Sequence, residues 1–141
     1  MSSIRDLIRN QRVHSLQSCD TVSVAALYMT QCNIGAIPVM NGSRLIGIFS
    51  ERDMMMKVIA ARRNPEVTLI SEVMTRYPFV AAPDDSIERC LIAMEQYGFR
   101  HLPVCDGDEL VGFLSLRDLM RHDRREKEFK LKMIHTYPKA S

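Results

Sequence analysis

The sequence predicts an α+β fold in which one βαββα unit is used twice, the copies packing sheet to sheet about a pseudo-two-fold axis, with a C-terminal helical extension. Three observations carry this. Residues 38–55 have counterparts 65 positions later without a gap, and nine of the 18 pairs are identical, where unrelated segments would share roughly one. The identities are Pro38/Pro103, Val39/Val104, Gly42/Gly107, Leu45/Leu110, Gly47/Gly112, Ser50/Ser115, Arg52/Arg117, Asp53/Asp118 and Met55/Met120. Each copy also runs through the same series of signals: an extended run, a helical period, a hairpin and a capped helix. Finally, a unit of about 60 residues buries too little apolar surface to stand alone, so the two hairpin faces must cover each other.

The elements follow in order. Residues 13–16 are an extended run. Residues 21–32 place Val22, Ala25, Ala26 and Met29 at helical spacing behind a Thr or Ser cap. Apolar runs at 37–40 and 45–49 flank the turn Asn41-Gly42-Ser43, a β-hairpin. Ser50 then caps a helix with Arg52 and Asp53 in its first turn and Met54, Met55, Val58 and Ile59 as apolar positions. The second copy repeats this, with 79–82 extended, 86–96 helical, strands at 102–105 and 110–114 around Asp106-Gly107-Asp108, and Ser115 opening the last helix. Asn64-Pro65-Glu66 marks a loop, and residues 70–75 a short helix leading to copy two. The division is 1–63 for the first copy with an N-terminal helix, 64–78 for the linker, 79–122 for the second copy, and 123–141 for a charged helix and tail. That helix ends near Tyr137-Pro138, and Phe129 and Met133, four apart, suit a partner subunit.

Bulk properties exclude several classes. A content of 46% hydrophobic and 26% charged residues is that of a soluble globular chain. The longest apolar runs, 34–40 and 45–49, fall far short of the roughly 20 residues that span a bilayer. Residues 1–10 mix Arg5, Asp6 and Arg9 into the apolar positions and lack a secretory h-region, so cytoplasmic residence is expected. Cys19, Cys32, Cys90 and Cys105 have neither C-x-x-C spacing nor a nearby His pair, which points to reduced thiols and no metal site. A net charge of +2 gives no general attraction to nucleic acid. The bases of residues 121–132 alternate with Asp123, Glu126 and Glu128, the pattern of a solvated helix. Met54-Met55-Met56 suits core or interface packing, and His14, His122 and His135 read as structural or solvated. The carboxylates find no nucleophile or metal cluster, so nothing supports an enzyme.

The pattern Gly-h-h-Ser-x-x-Asp-h, with h apolar, occurs at residues 47–54 and again at 112–119. It resembles the signature of CBS (cystathionine beta-synthase) domains, as do the βαββα order, Ile34-Gly35-Ala36-Ile37-Pro38-Val39, Val73-Met74-Thr75 and Phe99-Arg100-His101-Leu102-Pro103-Val104. The chain is similar to bacterial stand-alone CBS-pair proteins over about residues 10–122. The resemblance implies a Bateman module that senses adenine nucleotides (AMP, ATP or NAD) in clefts between the repeats. It also implies a homodimer, and regulation of a partner protein rather than catalysis, with a ligand-independent dimerisation scaffold as the alternative.

The residue types suit that ligand. A Ser at a helix start offers its hydroxyl and backbone N–H groups to phosphate, helped by the helix dipole; Ser50 and Ser115 fit. Asp53 and Asp118, three residues on, suit the two hydroxyls of a ribose. Arg52 and Arg117 carry forked donors for phosphate, and Arg100 and His101 approach from a strand edge. By family alignment the Ser115/Asp118 cleft also takes Val13, His14, Ser15, Ile34 and Gly35, and the Ser50/Asp53 cleft takes Tyr77, Pro78, Phe79, Val80 and Phe99. Read without the family, Ser-x-x-Asp is also a plain capping arrangement. Because Arg100-His101 aligns with Gly35-Ala36, the clefts are expected to differ, with the Ser115/Asp118 cleft the stronger phosphate site.

Overall fold

The structure, a computed structural model, describes residues 2–136, with side chains through Ile134; the expected helix end at Tyr137-Pro138 and the His135 side chain lie outside the described residues. In chain order the elements are α1 (Ile4–Ile8), β1 (Leu16–Gln17), α2 (Val22–Cys32), β2 (Ala36–Asn41), β3 (Arg44–Ser50), α3 (Glu51–Asp53, continued by π-helical turns Met54–Ile59), α4 (Ile70–Val73), β4 (Thr75–Arg76), α5 (Ile87–Tyr97), β5 (His101–Asp106), β6 (Glu109–Ser115) and α6 (Leu116–Thr136). The expected extended run at 13–16 contributes only Leu16 to a strand. The run at 79–82 contributes a single parallel bridge, Ala81 to Val104. That bridge repeats the parallel Leu16–Val39 pairing of the first copy. The helix expected at 70–75 stops at Val73, and Thr75 turns into β4.

Local chemistry repeats with the same spacing. Thr21 and Ser86 cap α2 and α5 by accepting from Val24 N and Arg89 N, and both helices end in a left-handed residue, Asn33 or Gly98. Each hairpin closes through a glycine at positive φ, Gly42 or Gly107, which only a residue without Cβ adopts freely. Each carries a bulge at the same place, after Val39 or Val104. One apolar core sits under each hairpin: Val22, Met29, Ile37, Val39, Phe49 and Val58 in the first half, and Ile87, Met94, Leu102, Val104, Leu114 and Leu119 in the second. The halves meet where β3 lies against β6.

The short helices are exchanged between the halves. Chain order groups α1 with the first copy, yet Ile4 and Ile8 are buried in the core of the second. Its backbone is tied there as well, since Ile4 N donates to Asp85 O and Arg5 N to Pro83 O. Likewise α4, which precedes the second copy, puts Ile70, Val73 and Met74 into the core of the first. Amphipathic segments of four or five residues have no stability of their own and settle where an apolar face is open. The repeated glycines record this exchange. A Cβ on Gly47 would stand 2.7 Å from Met74 Sδ, and one on Gly112 2.4 Å from Ile8 Cγ2.

The exchange is not symmetric in its hydrogen bonds. In the first half β4 pairs with β3, making a four-stranded sheet in the order β1-β2-β3-β4. In the second half β5 and β6 form a two-stranded sheet. Where a strand would lie beside β6, the Gln11 side chain accepts from Phe113 N at 2.9 Å and donates to Phe113 O at 2.6 Å.

Candidate nucleotide cleft

Ser50 and Ser115 each end a β-strand and cap the following helix, so both motifs start from the same geometry. Ser50 Oγ accepts from Asp53 N at 3.1 Å while Asp53 Oδ2 accepts from Ser50 N at 3.0 Å. The second copy matches, with Asp118 N to Ser115 Oγ at 3.1 Å and Ser115 N to Asp118 Oδ2 at 2.9 Å. These are reciprocal capping boxes. One oxygen of each aspartate is therefore spent on the helix end.

The other oxygen separates the two sites. Asp53 Oδ1 accepts from Thr75 Oγ1 at 3.1 Å and pairs with Lys57 Nζ at 2.9 Å. Its carboxylate is buried at 6% exposure. Asp118 Oδ1 has no hydrogen-bond or ion-pair partner among the described residues, and the side chain is half-buried. Two substitutions produce the difference. The Lys57 position is His122 in the second copy, set beside Glu126 rather than Asp118. The Thr75 position is lost because no strand flanks β6, Gln11 standing in with its side chain.

Asp118 opens into a cleft of about 1030 Å³ between the halves. Of the ten residues expected there, nine line it: Val13, His14, Ile34, Gly35, Arg100, His101, Ser115, Arg117 and Asp118. Ser15 does not; it lines a neighbouring hollow of about 430 Å³ with Val13, Met40 and Asp108. His14 is held by Tyr28, Nδ1 to Oη 2.9 Å, and stands edge-on to that ring. His101 stacks on Phe113 with ring centroids 5.7 Å apart. Burial lowers the His101 pKa, with nearby Asp118 opposing the shift and Arg100 adding to it, so the ring is neutral at pH 7 and offers hydrogen bonds rather than charge.

The helix start itself offers less to an anion than the sequence suggests. Leu116 N is taken by Arg100 O at 2.7 Å and Asp118 N by Ser115 Oγ. An anion placed here would therefore meet side chains, and the walls supply them. Arg12, Arg121 and Arg124 join Arg100 and Arg117, against the carboxylates of Glu51 and Asp118. Sequence reasoning assigned residues 121–132 to a solvated helix and missed these arginines. The signal was present: counted from Arg117, Arg121 and Arg124 fall at i+4 and i+7 on the helix that Ser115 caps, one face of that helix.

The eight residues expected in the other cleft are arranged differently. Ser50 and Asp53 are closed into the network above. Arg52 is exposed and lies along its helix, Nε 3.4 Å from Met56 Sδ. Phe79 stacks on both Phe99 and Tyr97, with centroids 4.7 and 4.8 Å away. Val80 is exposed and Pro78 half-buried, and Tyr77 stands 92% exposed at positive φ.

A duplicated βαββα pair enclosing a cationic cleft defines a two-repeat module. The sequence profile of the CBS domain matches residues 4–60 and 70–125. The chain belongs to the CBS-domain family, as a pair of CBS domains, which are regulatory modules. It is 36% identical over 119 residues to the CBS domain-containing protein YhcV of Bacillus subtilis, covering 84% of each chain. A solved protein with CBS domains from Burkholderia ambifaria superposes with a TM-score of 0.81 at 29% identity, over 86% of this chain and 93% of that one. The CBS domain pair of protein MJ0100, solved with 5′-methylthioadenosine and S-adenosyl-L-methionine, shares the fold with a TM-score of 0.79 at 23% identity, over 89% and 98% of the two chains. No helix of the described residues is long and apolar enough to cross a membrane.

Proposed function

We propose that the chain is a regulatory sensor rather than an enzyme, binding an adenosine nucleotide of the AMP, ATP or NAD type in the Asp118 cleft. The carrying observation is the unequal fate of two identical Ser-x-x-Asp motifs: one carboxylate is closed by Thr75 and Lys57, while the other keeps an oxygen for a ligand. Asp118 Oδ1 accepts from the ribose hydroxyls. Arg100 and Arg117 bring forked donors to phosphate, and Val13, His14, Ile34 and Gly35 form the slot for the base. That a protein of this fold holds two adenosine compounds supports the ligand class.

Occupancy acts through a homodimer or a protein partner in the cytoplasm. Support for the homodimer comes from exposed apolar residues at matching positions of both halves, Leu27 with Ile92 and Met55 with Met120. A pair of copies joined there buries side chains that water otherwise faces.

Thermal-shift titration with AMP, ADP, ATP, NAD and S-adenosylmethionine tests the reading. A ligand at 100 times its Kd adds about 2.7 kcal/mol, a rise of about 5–10 °C in Tm for a chain of this size. Asp118→Ala abolishes that rise and Asp53→Ala keeps it. Equal loss in the two variants refutes the assignment of the cleft, and no rise with any ligand leaves the ligand-independent scaffold.

A further inference from the structure

Five arginines face the cleft against two carboxylates, a surplus of three positive charges. Among the described residues none of Arg12, Arg100, Arg117, Arg121 and Arg124 makes an ion pair. Like charges gathered without partners repel, so a site of this kind is settled only by an anion. A single phosphomonoester brings at most about two negative charges near pH 7 and leaves the surplus unmet.

The arrangement is directional. Arg117, Arg121 and Arg124 share one face of α6 and span seven residues of it, about 10 Å of axis. Arg121 and Arg124 lie one and two turns beyond Asp118 along the helix, and all three arginines are exposed. The positions 65 residues away are Tyr77 for Arg12, Met56 for Arg121 and Ile59 for Arg124, so the row belongs to this cleft alone. It is also built by the helix that continues past the repeat.

Resting on the nucleotide reading above, we infer that the cleft takes a nucleotide with at least two phosphates, its phosphate chain running along the Arg117-Arg121-Arg124 face while Asp118 holds the ribose. Arg121 and Arg124 then read the phosphates beyond the first. They contribute little to a nucleoside monophosphate.

Isothermal titration of AMP, ADP, ATP and inorganic tripolyphosphate, in EDTA at fixed salt, tests this on the wild-type chain and on the double variant Arg121→Ala/Arg124→Ala. The wild type is expected to bind ATP at least about tenfold tighter than AMP, one lost charge-assisted contact being worth about that factor. In the double variant the ratio falls to about threefold or less, while the Kd for AMP moves by less than about threefold. Both side chains are exposed, and the single variant Arg124→Gln, expected to lower the ratio by an intermediate amount, guards against misfolding. Wild-type AMP and ATP affinities that agree, or a double variant that weakens both equally, overturn the inference while sparing the nucleotide site. Tripolyphosphate binding that needs the two arginines, without binding of any adenine nucleotide, keeps the phosphate row and overturns the adenosine reading. Binding of neither overturns both.

Discussion

Asp53→Ala and Asp118→Ala remove the same atoms from the same motif and are expected to differ sharply in stability. The capping box is lost in both, about 1 kcal/mol each, so it cancels in the comparison. What remains belongs to Asp53 alone. Thr75 Oγ1 donates to its buried carboxylate at 3.1 Å, and a hydrogen bond to a charged group contributes about 1.5–3 kcal/mol. Lys57 Nζ lies at 2.9 Å with its side chain 45% exposed, which limits that pair to at most about 1 kcal/mol. Asp53→Ala should therefore be less stable than Asp118→Ala by about 1.5–4 kcal/mol, or about 4–12 °C in Tm. Urea denaturation of the ligand-free proteins, with equal slopes to certify the same two-state transition, measures the difference directly. Midpoints that coincide would refute the claim that Asp53 is a closed structural network and Asp118 an open one.

Three further outcomes follow from the packing. Ile4→Ala, at a fully buried position in the core of the second half, should cost about 2–5 kcal/mol and speed amide exchange in α5 and β5 before α2 and β2; the reverse order would place α1 with the first half. Cys90, whose thiol is pushed up to about 11 by burial and by Asp85, should resist a thiol reagent at pH 8 while exposed Cys19 reacts within minutes, as mass spectrometry of the native protein would show. His101 has a lowered pKa from burial. The unfolded chain then takes up a proton at about 6.5 where the folded one resists, so His101 contributes stability above that pH that is lost as the pH falls below it. His101→Gln should flatten the decline in Tm between pH 7 and 5, and an unchanged decline would contradict the burial.

Much of the fold was legible because each level of the sequence agreed with the next. The hairpins, the cap at Ser50 and the helices at 21–32 and 86–96 came from local signals that tertiary structure did not override. The short elements did not, since a segment such as Ile4–Ile8 is placed by the apolar face it finds, and chain order says nothing of which half provides it. The same limit applies to the cleft. Seven of the nine expected residues that line it lie in the family motifs, Val13 and His14 coming from family alignment alone, whereas Arg12 and Arg124 enter from a connecting segment and a helical extension that carry no motif. Ser15, which family alignment places in this cleft, lines the neighbouring hollow instead. The strand begins at Leu16, leaving Ser15 in the hollow on the other side of Val13.

The duplication explains why the motif alone could not decide between a cap and a site. Ser-x-x-Asp satisfies the helix end with one carboxylate oxygen in both copies, so the capping reading holds in both. In the proposed reading function depends on the second oxygen, and its surroundings lie outside the 18 matched positions. Lys57 comes one turn beyond Asp53, and Thr75 arrives on a strand 22 residues further on. In the second copy that turn carries His122, and the flanking strand is replaced by one glutamine side chain. The loss of β-pairing beside β6 is thus tied to the opening of the cleft. Restoring a lysine by His122→Lys should bring the Asp53 arrangement partway back. The expected result is a rise of about 0.3–0.5 kcal/mol in apo stability from the i,i+4 pair with Asp118, together with a weakened response to nucleotide. A lysine at 122 that leaves the nucleotide response untouched would show that the free Asp118 oxygen is not the feature that distinguishes the two halves.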